Sequence, residues 1–423
     1  MTHVIGLDVS LPTWPVVGDH FPVAVMFTLH IAVAELSLGL ITLAAFFETR
    51  ALRTGNAWHL RYARAASNTY YLIFSLGATL AVFAVTIIIG LWGPVWGVLL
   101  NRFFALFGIA FGLFFIIVPL LVVYRNSWER MAPRRHAMLG WALLFFQTLF
   151  MAMMVVLDSY LIDPAQSGVL RGVLNPPFLP LLLHRLIGNV SWTALVLAAF
   201  AALRMARSGD EGERAFQSWA ARINLRIGVG TGILMPVAGF ALLEVLRTSV
   251  PRYFGNLVAS PDHLFVFQAA LLGMTFVAAN VALAWERPLR FGADGVGRLC
   301  VGLAILLFAV GLLPASVLGP DIYWIRYAAI GAGLVVTLIH LLVRSAPLQR
   351  SPVPAPAPGA AAVLPFSAHA VARRALLACA VFSVMLALLM GYMKETARGP
   401  YAINGELTQQ DAHGQWNPQG IYP

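Results

Sequence analysis

The chain has 423 residues, 60% of them hydrophobic and 11% charged, with a formal net charge of +10 and a mean hydropathy of +0.79. A soluble domain of this length cannot bury so much apolar surface, so soluble classes are excluded and the fold class is an all-α, polytopic membrane bundle. The positive balance, which would suggest nucleic acid in a soluble chain, marks membrane topology here, and no nucleic-acid partner is expected.

Apolar segments long enough to cross a bilayer are predicted at 22–48, 69–91, 100–124, 137–160, 179–203, 224–246, 263–285, 297–318, 323–344 and 374–393. The connections at 50–64, 125–135, 204–226, 287–298 and 344–374 hold 20 of the 28 Lys and Arg, and the other side holds eight. Basic loops stay cytoplasmic, so both termini are expected outside the cytoplasm. The first 20 residues lack a basic leader and read as an extracytoplasmic stub. Helices 1–9 are expected to form one bundle over 1–347, followed by a Pro/Ala-rich cytoplasmic linker at 348–372 containing SPVPAPAPGAAA. A last crossing helix at 373–398 and an extracytoplasmic tail at 399–423 complete the chain. Cys300 and Cys379 both fall in predicted spans, which argues against a disulfide framework, and without CxxCH no haem is attached covalently. No internal repeat of the transporter kind is apparent.

The ionisable groups within the spans lie mostly near the extracytoplasmic ends, and such groups are expensive at membrane depth unless they serve a site. In the first span His30 can ligate haem iron as a neutral imidazole or simply bond a neighbouring helix; Glu35 lies deeper and Glu48 closes the helix. Asp158, in VVLDSYLIDP, can carry protons, cap or pair. His184 opens the fifth span behind Pro176, Pro177 and Pro180. Its neighbour Arg185 can reach a haem propionate or snorkel to the interface. His263 and Arg326 begin the seventh and ninth spans, where helix-start residues are ordinary. Glu395 and Arg398 close the tenth span one turn apart, as an i,i+3 ion pair or as an axial ligand with a propionate partner. His59, His136, His340 and His369, on the cytoplasmic side, read as ordinary interface residues, and His3, His20 and His413 belong to the polar ends.

The offsets among these residues resemble subunit I of cytochrome bd-type quinol oxidases. That family carries a first-helix histidine, a glycine nine residues on and Glu-Thr at eighteen and nineteen; this chain has His30, Gly39, Glu48 and Thr49. WERMAPRRHAMLGW at 128–141 is similar to the family's WDRxxxxxHxxxxW, and Asn175-Pro176 precede His184 at the family's spacing. Glu395-x-x-Arg398-x-Pro400-Tyr401-Ala402-Ile403 resembles the family's ExGRQPWAI. The resemblance covers roughly 1–240 and 320–410, and it implies a multi-pass protein of the bacterial inner membrane with two or three haems. These are haem b, with haem d as a candidate at the His30 site. By resemblance His30 is the axial ligand at the oxygen-binding haem, His184 the ligand of a low-spin haem b, and Glu395 serves the high-spin haem b. Arg326, Arg398 and Arg185 then border the haems.

Several departures bear on function. The family's two third-helix glutamates fall on Ile109 and Ile117, Asp158 stands where asparagine is usual, and the methionine ligand two residues after the family arginine is Ala328. His263, with Met274 behind it, is the candidate replacement for that methionine. The hydrophilic quinol-binding loop is replaced by spans 263–285 and 297–318, so quinol as donor is unsupported and a c-type cytochrome donor fits better. The enzyme reading is a bd-like oxidoreductase that passes electrons to oxygen or another small oxidant, with a second membrane subunit as partner. The other reading is a non-catalytic electron-transfer or haem-bearing subunit that has lost oxygen reduction.

Overall fold

A computed structural model describes residues 20–164, 172–258, 264–285, 294–313, 315–318, 322, 324–345, 370–398, 408–410 and 416–421. Within them lie α1 (His20–Thr54), α2 (Ala57–Leu91), α3 (Gly93–Asn126), α4 (Pro133–Ile162), α5 (Phe178–Arg207), α6 (Glu211–Gly232) and α7 (Leu234–Ser249). There follow α8 (Pro251–Val258), α9 (Leu264–Ala284), α10 (Gly295–Gly311), α11 (Ala315–Leu318), α12 (Ile325–Ser345) and α13 (Ala370–Arg398). In the tail, β1 (Thr408–Gln410) and β2 (Trp416–Ile421) pair antiparallel, adding a short ribbon to an otherwise helical chain.

Nine of the described helices are long and apolar enough to cross a membrane, with α6 and α7 together forming one of them. Nine of the ten predicted spans fall on these helices. The span predicted at 297–318 corresponds to α10, whose 17 residues reach about 25 Å, somewhat short of a hydrocarbon core of about 30 Å.

The helices outrun the predicted spans because a helix does not stop where the bilayer does. Polar and basic residues carry α1 and α2 onward until only Gly55 and Asn56 separate them. Gly55 takes φ +65°, a backbone conformation that favours glycine, and Asn56 Oδ1 accepts from Trp58 N at 2.8 Å to cap α2. The connection expected at 204–226 shrinks likewise, and α6 starts at an Asp210 cap whose Oδ2 accepts from Glu213 N at 2.7 Å. Pro236 explains the break at Ile233 between α6 and α7, since its ring removes a donor and crowds the preceding turn. In α3 the helix kinks at Phe103 (φ −115°, ψ 26°).

The chain forms two compact units. The first comprises Met1–Leu186, Ala238–Asp262 and Leu388–Pro423; the second comprises Ile187–Val237 and His263–Ala387. At the arginine-poor end of the first unit, Val23, Ile88, Trp92, Val95, Leu99, Phe103, Val156 and Tyr160 form an apolar core from α1 to α4. In the second unit Phe276 and Phe308 stack with centroids 5.7 Å apart. A Cβ at Gly333 would stand 3.0 Å from the Phe308 ring, a tight approach that the ring would have to relieve by shifting a few tenths of an ångström.

Three histidines expected as ordinary interface residues are buried. His59 is 8% exposed, His136 1% and His340 0%. His136 Nδ1 donates to Glu48 Oε1 at 2.6 Å, Tyr124 Oη donates to Glu48 Oε2 at 2.7 Å, and Trp128 packs on the imidazole with centroids 4.0 Å apart. Trp141 Nε1 donates to Thr49 Oγ1 at 2.8 Å. Glu48-Thr49 and the 128–141 stretch are therefore two halves of one clamp joining α1, α3 and α4 at the arginine-rich end. His340 Nδ1 meets Asn280 Oδ1 at 2.9 Å, beside a bidentate Arg344–Asp294 pair at 2.6 and 2.8 Å. Sequence position placed these groups at a boundary, whereas the helices' extension beyond the bilayer buries them. His369, His3 and His413 lie outside the described residues.

Glu48→Ala orphans two buried donors at about 1–3 kcal/mol each. It is expected to lower the thermal midpoint in detergent by several degrees. Glu244→Ala, which removes an exposed pair with Arg247, should leave the midpoint unchanged; equal midpoints for the two variants would refute the clamp.

Candidate functional site

The residues singled out at the arginine-poor end mostly converge within the first unit. His30 sits ten residues into α1, with its Nδ1 3.1 Å from the carbonyl of Gly77 on α2. A carbonyl only accepts, so Nδ1 carries the proton and Nε2 keeps its lone pair free for a ligand. The helices are in ordinary contact here: a Cβ at Gly77 would meet Val33 Cγ1 at 3.4 Å.

His184 lies in the second turn of α5. That helix starts at Phe178, and Pro180 falls in its first turn, where a missing N–H costs nothing. Its Nδ1 is buried without a hydrogen-bond partner. An orphaned polar atom in an apolar interior is costly, and such an atom calls for an explanation. Gly239 on α7 faces the ring: a Cβ there would stand 3.3 Å from His184 Cε1.

Between these histidines and the end of α13 lies a network of six charges. Arg185 Nε donates to Glu35 Oε1 at 2.9 Å and its Nη1 to Asp158 Oδ2 at 3.2 Å. Lys394 Nζ donates to the same Asp158 oxygen at 2.7 Å, and Arg398 Nη1 to Asp158 Oδ1 at 3.1 Å. Arg398 also grips Glu395, with Nε on Oε2 at 2.9 Å and Nη2 on Oε1 at 2.6 Å. Glu395 and Arg398 are each 3% exposed. Three cations and three carboxylates leave the cluster neutral. Just past α4, burial pushes the Asp163 carboxyl up from the usual range.

Helix α13 reaches this cluster by packing closely on α1. A Cβ at Gly391, one turn before Glu395, would meet Thr28 Oγ1 at 2.8 Å, and Thr28 precedes His30 by two residues. Asn256 on α8 donates its Nδ2 to Ala397 O at 3.0 Å, tying down the last turn of α13.

The model of the cytochrome bd terminal oxidase subunit I family matches residues 20–254, more than half of the chain. The chain belongs to that family. The solved structure of bd oxidase from Geobacillus thermodenitrificans has a similar fold, with TM-score 0.63 and 12% identity, over 93% of this chain and 91% of that one. No curated protein matches. As a family member with nine long apolar helices among its described residues, the chain is a multi-pass integral protein of the bacterial plasma membrane.

Of the site residues expected from sequence, the first unit of this bd-family chain gathers Glu395, Arg398, Asp158 and Arg185 in one network, with His30 and His184 on α1 and α5 beside it. Arg326 belongs to the second unit, where its Nε donates to Gly311 O at 3.0 Å. His263 lies outside the described residues. Met274 is 37% exposed. The two α3 positions differ in kind: Ile117 is 1% exposed and Ile109 56%.

Lys394, Gly391 and Gly239 were not singled out from the sequence. One signal for Lys394 was present, since it is the only lysine among 28 Lys and Arg. A chain that uses arginine everywhere else places its one compact ammonium on Asp158.

Removing one partner of a buried ion pair costs about 3–5 kcal/mol. Asp158→Ala is therefore expected to reduce the yield of folded protein and its thermal midpoint sharply. Adding Lys394→Met should restore part of the loss, because one orphaned cation goes with it. A double variant no more stable than Asp158→Ala alone would show that the two do not act as a pair.

Proposed function

We propose that this bd-family chain is a haem-binding oxidoreductase subunit that passes electrons through haems near the extracytoplasmic face to oxygen or another small oxidant. The observation that carries the reading is the pair of site imidazoles with a nitrogen free for a ligand: His30 with Nδ1 committed to Gly77 O, and His184 with a buried, unpartnered Nδ1.

The residues present fit haem. His30 would hold one iron through Nε2, its ring fixed by the Gly77 carbonyl in the way that outer hydrogen bonds orient metal-ligating histidines. His184 would hold a second, and Glu395, oriented by Arg398, would serve a third. By resemblance Arg185, Arg398 and, in the second unit, Arg326 would border the propionates. Bound haem supplies one-electron and oxygen chemistry. The chain's own residues fix ring orientation, balance charge at the arginine-poor end and keep that end packed against water.

A second membrane subunit, as is usual for the family, completes the assembly, and a c-type cytochrome is the proposed donor. The alternative, a non-catalytic electron-transfer subunit, draws support from α3, which carries no carboxylate between Gly93 and Asn126.

The deciding experiment is a reduced-minus-oxidised spectrum of the purified protein with pyridine-haemochrome quantitation and carbon monoxide added. Two or three haems with a component sensitive to carbon monoxide are expected. Haem blind to carbon monoxide would favour the electron conduit, and no haem in a folded preparation with ample haem supply would end the proposal. His30→Ala is expected to abolish the carbon monoxide difference signal while leaving other haem bands. An unchanged signal would remove His30 from the ligand set.

A further inference from the structure

We propose that α8 holds the Glu395–Arg398 pair in place, with Asn256 and Tyr253 as positioning residues for Glu395. The role of Glu395 at a haem rests on the reading above, whereas the hold on the pair does not. Helix α8 and the end of α13 belong to the same compact unit. Glu395 and Arg398 stand three residues apart in the last turn of α13, so their bidentate contact exists only while that turn stays helical.

A helix leaves its last four carbonyls without intrahelical donors, here those of Glu395, Thr396, Ala397 and Arg398. At an exposed end water satisfies them. This end is buried: Glu395, Ala397 and Arg398 are each 3% exposed, and a carbonyl shut away from water needs a donor from the protein. Helix α8 supplies one. Asn256 Nδ2 donates to Ala397 O at 3.0 Å, inside the segment that separates the two partners. The bond joins residues 141 apart in the chain, so it is a tertiary hold and not a local cap.

The sequence of α8 suits this task. Pro251 opens it at the position where a missing N–H costs nothing. Tyr253 and Leu257, one turn apart, are buried, while Arg252, Gly255 and Asn256 are exposed. The buried stripe seats the helix, and Tyr253 acts electrostatically on Arg398. Asn256, three residues on, turns its carboxamide inward from an otherwise exposed position. Two groups of one short helix thus bear on the last turn of α13. Arg398 passes the constraint on, since its Nε and Nη2 hold both Glu395 oxygens while Nη1 reaches Asp158 on α4.

Two measurements on the full chain in detergent test this, with wild type, Asn256→Ala, Asn256→Asp and Asn256→Gln. Asp has the shape of Asn but lacks the donor, and Gln keeps the donor on a longer arm. Hydrogen–deuterium exchange over residues 391–398 should be about fivefold faster in Asn256→Ala and Asn256→Asp, the equivalent of one hydrogen bond. In the haem-loaded protein the same two variants should shift the absorption band and midpoint potential of the high-spin component that survives His30→Ala. The low-spin bands should stay in place, and Asn256→Gln should recover part of the shift. Unchanged exchange in Asn256→Asp overturns the proposal, and so does faster exchange with wild-type haem bands. If neither donor-lacking variant folds, Tyr253→Phe, which keeps the buried ring, decides by the same two readouts; wild-type behaviour there overturns the proposal. A wild type without haem ends the haem reading alone, and exchange then decides whether α8 holds the pair.

Discussion

The arginine-poor end of the first unit is organised around one carboxylate. Asp158 draws Arg185 from α5 and Lys394 and Arg398 from α13 onto α4. A charged side chain at membrane depth costs about 3 kcal/mol even on lenient scales, so six of them would be prohibitive unless each found its complement. Unit charges about 4 Å apart attract by about 4 kcal/mol at an effective dielectric near 20, enough to offset desolvation only when geometry is tight. Contacts of 2.5–3.2 Å through the cluster meet that condition. The positions of His184, next to Arg185, and of Glu395, next to Lys394, are consequences of this pairing.

A second polar node holds the opposite end of the same helices. Glu48, His136, Tyr124 and the Trp141–Thr49 bond tie α1, α3 and α4 together where the arginines gather. Between the nodes α1 buries an apolar stretch including Leu40, Ile41, Ala44 and Ala45, each at 0% exposure. Apolar packing alone leaves rotation and sliding of a helix weakly specified, whereas two polar nodes fix both. With its ends fixed, α1 presents Thr28 to Gly391 and His30 to Gly77 at one level, and the first of these contacts depends on a missing Cβ. Glycine here sets distance between helices, not backbone freedom.

The sequence conveyed the class and most of the crossings, and it marked several residues that the first unit brings together, because each has a one-dimensional signal. Apolar runs, arginine asymmetry and fixed offsets such as His30 to Glu48 need no tertiary knowledge. Pairing does: that Arg185 would turn to Glu35, 150 residues away, depends on which faces of α1, α4 and α5 meet. The burial of His136 and His340 escaped for a related reason. Hydropathy locates the bilayer edge, but helices continue past it, and residues beyond the edge can still pack against one another. Gly391 and Gly239 carry no signal at all until the helix opposite each is known.

The absence of acids from α3 reads differently once positions 109 and 117 are separated. Position 117 is buried and position 109 is 56% exposed, so two glutamates there would meet different surroundings: one would need a buried partner and the other would face outward. This chain instead keeps α3 apolar along its membrane depth beyond Arg102 and sets its carboxylates on α1, α4 and α13, where cations already stand. Asp158 and Lys394 act as one element, since removing either alone would leave an odd charge among five. That coupling makes the site self-balancing without help from α3. Arg185 and Arg398 are each divided between two acids, so shared cations bind the three carboxylates into one cluster.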